Sequence, residues 1–139
     1  MRIRDVRLIA SALVAESAGV IVGHIAFSWL DMRVDERTIE ATALAPLAVP
    51  PNCQRRGIGS SLMAAGLARA RATGATAVVV LGHPAYYGRF GFSTALAAKL
   101  KAPIAGEAFM ALELTPSALA GNLGSLSYPH AFGIAAGKK

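Results

Sequence analysis

Two apolar runs open the chain. Residues 9–16 (I-A-S-A-L-V-A-E) and 19–30 (G-V-I-V-G-H-I-A-F-S-W-L) read as strands joined by a tight Ser17-Ala18-Gly19 turn. Residues 31–37 are polar and predict a loop. Residues 38–49 predict a third strand, in which Pro46 has no N–H to give a ladder and so implies a bulge or an edge; Pro50-Pro51-Asn52 ends it. The period then changes. Leu62, Met63, Gly66, Leu67 and Ala70 recur at helical spacing, with Arg69 and Arg71 off that stripe, so residues 57–73 predict a helix stopped by Gly74. Residues 77–81 (A-V-V-V-L) have the unbroken apolar character of a buried central strand. One or two helical turns are expected over 84–90 and a strand over 108–114. From about 115 to 139 the chain reads as a loop-rich tail. Five strands with one long and one short helix predict a mixed α/β (α+β) domain with few helices.

Length and composition narrow this. A chain of 139 residues, 54% apolar and 16% charged, is long enough for a single domain with a real core. The formal net charge of +6 is unevenly spread. Residues 1–40 sum to −1, residues 41–106 carry +7 with no acid among them, and the remainder sums to zero. A basic middle segment predicts an anionic partner: a phosphorylated cofactor, a nucleic acid or a membrane surface. The longest nearly apolar run, residues 19–30, is broken by His24 and Ser28 and is too short to span a bilayer; nor does the start carry a secretory signal. One cysteine, Cys53, excludes an internal disulfide framework and fits a reducing compartment, and three scattered histidines with it do not make a metal set. The expectation is a cytoplasmic domain with no metal.

The stretch richest in chemistry is Leu47-Ala48-Val49-Pro50-Pro51-Asn52-Cys53-Gln54-Arg55-Arg56-Gly57-Ile58-Gly59-Ser60. A strand runs into a loop with two close glycines, and a helix starts there. Helix N-termini expose unpaired N–H groups and a partial positive charge, which suits phosphate. Leu62 stands where a dinucleotide fingerprint needs its third glycine, and no Lys-Ser/Thr pair follows as in a Walker A loop. Spacing alone leaves a plain strand–helix connection equally open.

Gln54-Arg55-Arg56-Gly57-Ile58-Gly59 resembles the Gln/Arg-x-x-Gly-x-Gly/Ala loop of the GNAT N-acetyltransferase superfamily, and Ala45-Pro46-Leu47-Ala48-Val49 resembles its splayed strand. A second block, Leu81-Gly82-His83-Pro84-Ala85-Tyr86-Tyr87-Gly88-Arg89-Phe90-Gly91-Phe92, is similar to the family's strand-to-helix segment ending in Tyr-x-x-x-Gly-Phe, with Tyr87 four residues before Gly91. The wording is nearest to a bacterial subgroup of acetyltransferases that also carries the motifs found here at 23–28, 108–114 and 128–132, so the resemblance covers roughly residues 11–133. It implies a mostly antiparallel, twisted mixed sheet with a splayed central strand pair and a central helix. It also implies that the usual first strand and two helices are lacking here, leaving one N-terminally shortened domain over 1–139 with a sheet edge open to pairing.

The resemblance implies acetyl-CoA as cosubstrate. The backbone of Leu47, Ala48 and Val49 is expected to meet the pantetheine arm, and Gln54, Arg55, Arg56, Gly57, Ile58, Gly59 and Ser60 the pyrophosphate. His83 and Tyr86 are further cofactor candidates. Tyr87 is the candidate acid for the leaving thiolate; a packing aromatic beside Phe90 and Phe92 is the alternative. Glu40, placed by alternation on one face with Thr42 and Leu44, is the candidate base, against the reading of a surface carboxylate. His24 is weighed as a base against a hydrogen-bonded structural histidine, His83 as a cofactor contact against a turn residue capping Pro84, and His130 is incidental. Cys53 is not read as a nucleophile, because direct transfer needs no thiol. Trp29 and Met32 are assigned to core or rim packing. The expected function is transfer of an acetyl group from acetyl-CoA directly to an amine of a small or peptide acceptor; the alternative is a CoA-binding but inactive module of a regulator or larger assembly. Nine aromatics not interleaved with the basic residues argue against nucleic acid, no membrane partner is expected, and a homodimer is compatible with the sequence.

Overall fold

The computed structural model describes residues 2–5, 11–101 and 109–127. In chain order the elements are β1 (Arg2–Asp5), β2 (Ser11–Ser17), β3 (Val20–Val34), β4 (Arg37–Thr38), β5 (Ala41–Ala48), α1 (Ile58–Ala72), β6 (Ala77–Leu81), α2 (Pro84–Tyr87), α3 (Thr94–Ala97), β7 (Leu100–Lys101), β8 (Phe109–Glu113) and β9 (Gly124–Ser127). Single 3-10 turns lie at Pro51–Cys53 and Gly88–Phe90. This is the predicted mixed architecture: among the described residues β1–β2, β2–β3, β3–β4, β3–β9 and β6–β8 pair antiparallel, and β5–β6 and β7–β9 pair in parallel. The described chain divides into two compact units.

The first unit comprises the described parts of Met1–Ser28 and Leu44–Thr73. The β2–β3 hairpin turns at Ala18 and Gly19, both at positive φ (53° and 80°), the twist a two-residue hairpin needs. The edge of β2 expected to lie open is paired: β1 runs antiparallel along it from Arg2↔Glu16 to Asp5↔Leu13. Helix α1 packs against β2 and buries Ile58, Leu62, Met63, Gly66 and Ala70, close to the predicted stripe, with Leu67 only half-buried. Gly66 is there for closeness: a Cβ on it would sit 2.8 Å from Cε1 of Phe27. Burying a side chain such as Leu62 contributes about 1.5–3 kcal/mol, so packing rather than helix propensity holds α1 in place.

The second unit comprises the described parts of Trp29–Ala43 and Gly74–Lys139. Here the expected loop over 31–37 is corrected. β3 continues to Val34, with Asp31 and Arg33 exposed and Met32 and Val34 buried, a period-two pattern that buries one face. The turn is only Asp35 and Glu36, both at positive φ (46° and 74°), and β4 follows. The tail is corrected too: Gly124–Ser127 forms β9 and pairs with Asp31–Val34. Residues 115–123 run through bends and turns; residues 128–139, including His130 and the motif at 128–132, lie outside the described residues. The Asp35 carboxylate ties the hairpin tip to the chain before β9, accepting from the N–H groups of Asn122 (2.8 Å) and Leu123 (3.1 Å). Those donors hold its carboxyl below the usual aspartate value.

β5 and β6 pair in parallel at Ala41↔Ala77, Thr42↔Val78 and Ala43↔Val79, and each runs on past these pairs, to Ala48 and Leu81. β8 lies antiparallel on β6 from Ala77↔Glu113 to Leu81↔Phe109. Strand β6 is fully apolar because it has a neighbour on each edge and is covered on both faces. The core of this unit gathers Met32, Val34, Ile39, Ala41, Ala43, Val79, Phe109, Ala111 and Leu119.

Candidate active site

In the first unit the chain leaves β5 through half-buried Leu47, Ala48 and Val49 and turns over Pro51–Cys53, where the Cys53 N–H donates to Pro50 O at 2.8 Å. The loop is braced by side chains. Gln54 Nε2 donates to Val49 O at 2.9 Å, and Arg56 Nη2 donates to Asn52 O at 3.3 Å. Gln54, expected to face the cofactor, thus uses its amide to close the loop on itself. Arg55 stands at φ 68°, the left-handed region that costs a non-glycine residue, and Gly57 at φ 77° is the residue before the helix.

That conformation leaves the start of α1 open. The first intrahelical bond is Ser61 N–H to Gly57 O at 3.0 Å, so the N–H groups of Ile58, Gly59 and Ser60 lie outside the helical ladder. Gly57 supplies no side-chain cap, and no acidic residue lies in the first turn. Gln54, Arg55, Arg56, Gly57 and Ser60 are exposed, Gly59 is half-buried and Ile58 points its side chain into the core. Three unclaimed amides at the positive end of a helix, beside two guanidinium groups, suit a polyphosphate. Cys53 is buried and free, with its Sγ 3.5 Å from Asn52 Oδ1.

In the second unit the residues after β6 build an aromatic cluster. His83 precedes α2 in an extended conformation, exposed, and its carbonyl accepts the N–H groups of Tyr86 and Tyr87, each at 3.0 Å. Its ring makes no cap to the helix. Gly91, at φ 97°, turns the chain so that Phe92 becomes buried, which is the physical content of the Tyr-x-x-x-Gly-Phe spacing. The Tyr87 ring is edge-on to Tyr86 (centroids 5.0 Å apart, 86°) and to Phe92 (5.8 Å, 78°). Burial holds its phenol above the usual tyrosine value, with Tyr86 acting in the same direction. Tyr86 itself packs against Phe90 and lies under the Arg89 guanidinium, 4.9 Å from its ring centroid. The packing role weighed for Tyr87 is therefore met by a half-buried ring whose phenol keeps its proton more firmly than a free tyrosine.

Glu40 is corrected in placement. It is exposed and stands ahead of β5 rather than on it, while Thr42 and Leu44 are buried. Its carbonyl accepts the Thr76 N–H at 2.7 Å. In the first unit, His24 is half-buried on β3. In the second, Met32 is core and Trp29 is partly exposed. Among the described residues no three His, Cys, Asp or Glu side chains gather as a metal site, and no helix is long and apolar enough to cross a membrane. One residue that matters at Tyr87 had no chemical signal in the sequence: Gly82, whose missing side chain leaves room for the ring.

Comparison with known proteins agrees with this geometry. The family described as acetyltransferase (GNAT) domain matches residues 3–95. The chain is 33% identical over 133 residues to the uncharacterized N-acetyltransferase YhbS of Escherichia coli K12, covering 94% of this chain and 78% of that protein. It superposes on the crystal structure of YhbS from Escherichia coli in complex with CoA with a TM-score of 0.80 at 34% identity, over 90% of this chain and 70% of that one. A GNAT acetyltransferase of Brucella melitensis in complex with acetyl-CoA aligns with a TM-score of 0.67, also at 34% identity, over 89% and 69%. A glycine-opened helix start after a strand, a tyrosine four residues before Gly91 and this agreement over most of the length together place the chain in the GNAT acetyltransferase family.

Proposed function

We propose that the protein is an acetyl-CoA-dependent N-acetyltransferase that moves the acetyl group directly to an amine of a small-molecule or peptide acceptor. The observation that carries the reading is the open start of α1: Gly57 in the left-handed region, three amides outside the helical ladder, two arginines and no acid. Those amides, with Arg55 and Arg56, would hold the pyrophosphate, and the backbone of Leu47 and Ala48 the pantetheine arm. Relatives crystallised with CoA and with acetyl-CoA support the assignment. When bound, acetyl-CoA supplies an activated acetyl thioester.

The chain's own residues divide the proton work. Tyr87, with its ionisation pushed up, keeps its proton at neutral pH and gives it to the departing sulfur. The acceptor ammonium gives its proton to Glu40 or to solvent. A cytoplasmic location fits a protein whose one cysteine is buried and free.

Calorimetric titration with acetyl-CoA at moderate salt should give saturable binding. A thiol-release screen over polyamines, aminoglycosides, amino acids and peptide N-termini should then find an acceptor. Absence of binding overturns the reading. Binding with silence across the panel turns it into the inactive CoA-binding module.

A further inference from the structure

The end of β6 carries a glycine that no turn requires. Gly82 does not adopt the left-handed conformation that favours glycine, so its backbone would accept any L residue. What it lacks is space. A Cβ built on Gly82 would lie 2.2 Å from Cε2, 2.7 Å from Cδ2 and 3.2 Å from Cζ of Tyr87. The ring of Tyr87 occupies the volume that every other amino acid would fill at position 82. Ordinary contact begins near 3.4 Å, so a methyl group there displaces the ring by about 1 Å.

We propose that Gly82 is a positioning residue for acetyl transfer: by offering no side chain, it lets the Tyr87 ring lie against the backbone at the end of β6 and so fixes where the phenol hydroxyl stands. This rests on the reading of Tyr87 as the acid. Three contacts then set the ring, each from a different direction in the chain: Gly82 before it, Tyr86 beside it and Phe92 after it. Tyr86 and Phe92 meet it edge-on and yield to a small shift, whereas a Cβ at position 82 does not. A phenol moved by about 1 Å no longer meets the departing sulfur at hydrogen-bond distance, and such a misplacement costs on the order of 10²-fold in rate.

The test compares Gly82→Ala, Tyr87→Phe and the double variant in the full chain. Each is followed by thiol release, acetyl-CoA titration and the alkaline absorbance titration of tyrosine. Gly82→Ala should lower kcat by about 10- to 100-fold with the KM for acetyl-CoA nearly unchanged. In the Tyr87→Phe background it should lower kcat no further, because the hydroxyl it positions is gone. The Tyr87 ionisation should shift in Gly82→Ala as the ring leaves its pocket. Wild-type kcat and an unshifted titration in Gly82→Ala overturn the proposal whatever Tyr87 does. A shifted titration with full activity in Tyr87→Phe instead overturns the acid reading and leaves the packing relation standing. Should Gly82→Ala fail to fold, Gly82→Ala in a Tyr87→Ala background, where the space is vacated, should recover the stability of Tyr87→Ala alone. Continued unfolding there overturns the proposal.

Discussion

At the start of α1 the groups offered to a ligand are backbone amides, freed by Gly57 at φ 77° and by the absence of any capping side chain. At the end of β6 the group offered is one phenol, held by Gly82, Tyr86 and Phe92. The first arrangement is made by local conformation, so it is sensitive to what the backbone can adopt and indifferent to most side chains nearby. The second is made by packing between residues five before and five after the tyrosine, so it is sensitive to volume. Under the proposed function, binding and proton transfer fall to parts of the molecule that fail in different ways, and single substitutions should separate them.

The largest effect is expected at the phenol. Tyr87→Phe removes the proposed proton donor and keeps the ring, so kcat should fall by about 10²- to 10⁴-fold while calorimetric acetyl-CoA affinity stays at the wild-type value. An unchanged rate removes Tyr87 from the chemistry. Next is the backbone site. Gly59→Trp puts bulk between the amides and an incoming phosphate; losing several charge-assisted hydrogen bonds should weaken acetyl-CoA binding by about 10²-fold or more. Thermal unfolding should show that the fold is retained.

Arg55→Gly sharpens the comparison within the loop. Glycine keeps the positive φ of position 55 and removes only the charge, so affinity should fall by about 3- to 10-fold at low salt and approach wild type at high salt. A loss that ignores salt would mean the side chain shapes the loop instead. The smallest effect is on stability at high pH. The Tyr87 phenol ionises later in the folded chain than in the unfolded one, whose value is near 10.0. Its contribution is therefore complete below that value and is lost as pH rises through the higher folded one. Denaturant midpoints of Tyr87→Phe should decline less between pH 10 and 12 than those of wild type.

Much of this was legible in the sequence for one reason: it depends on residues close in the chain. Helical spacing from Leu62 to Ala70 gives α1 within a residue of its ends, and β6 falls at 77–81 as read. The two glycine motifs stand out in the sequence because a positive φ at Gly57 and Gly91 is a local demand. The alternation Asp31-Met32-Arg33-Val34 was also present, but two charged residues in four made it look like a loop. Its meaning depends on β9, whose residues Gly124–Ser127 supply the facing ladder some ninety positions away. Glu40 was misplaced for a related cause: alternation says which residues share a face but not where the strand begins.

What the sequence determined by itself was therefore the set of locally encoded parts, namely the helix, the apolar strand, the glycine loop and the tyrosine's spacing from Gly91. Periodicity and backbone φ are properties of a few consecutive residues and are written in them. Tertiary structure alone decided that β1 covers the edge of β2, that β9 extends the sheet along β3, and that Gly82 lies beneath the Tyr87 ring. Each of these is a matter of register or excluded volume between segments, and neither quantity exists until the chain has folded back on itself.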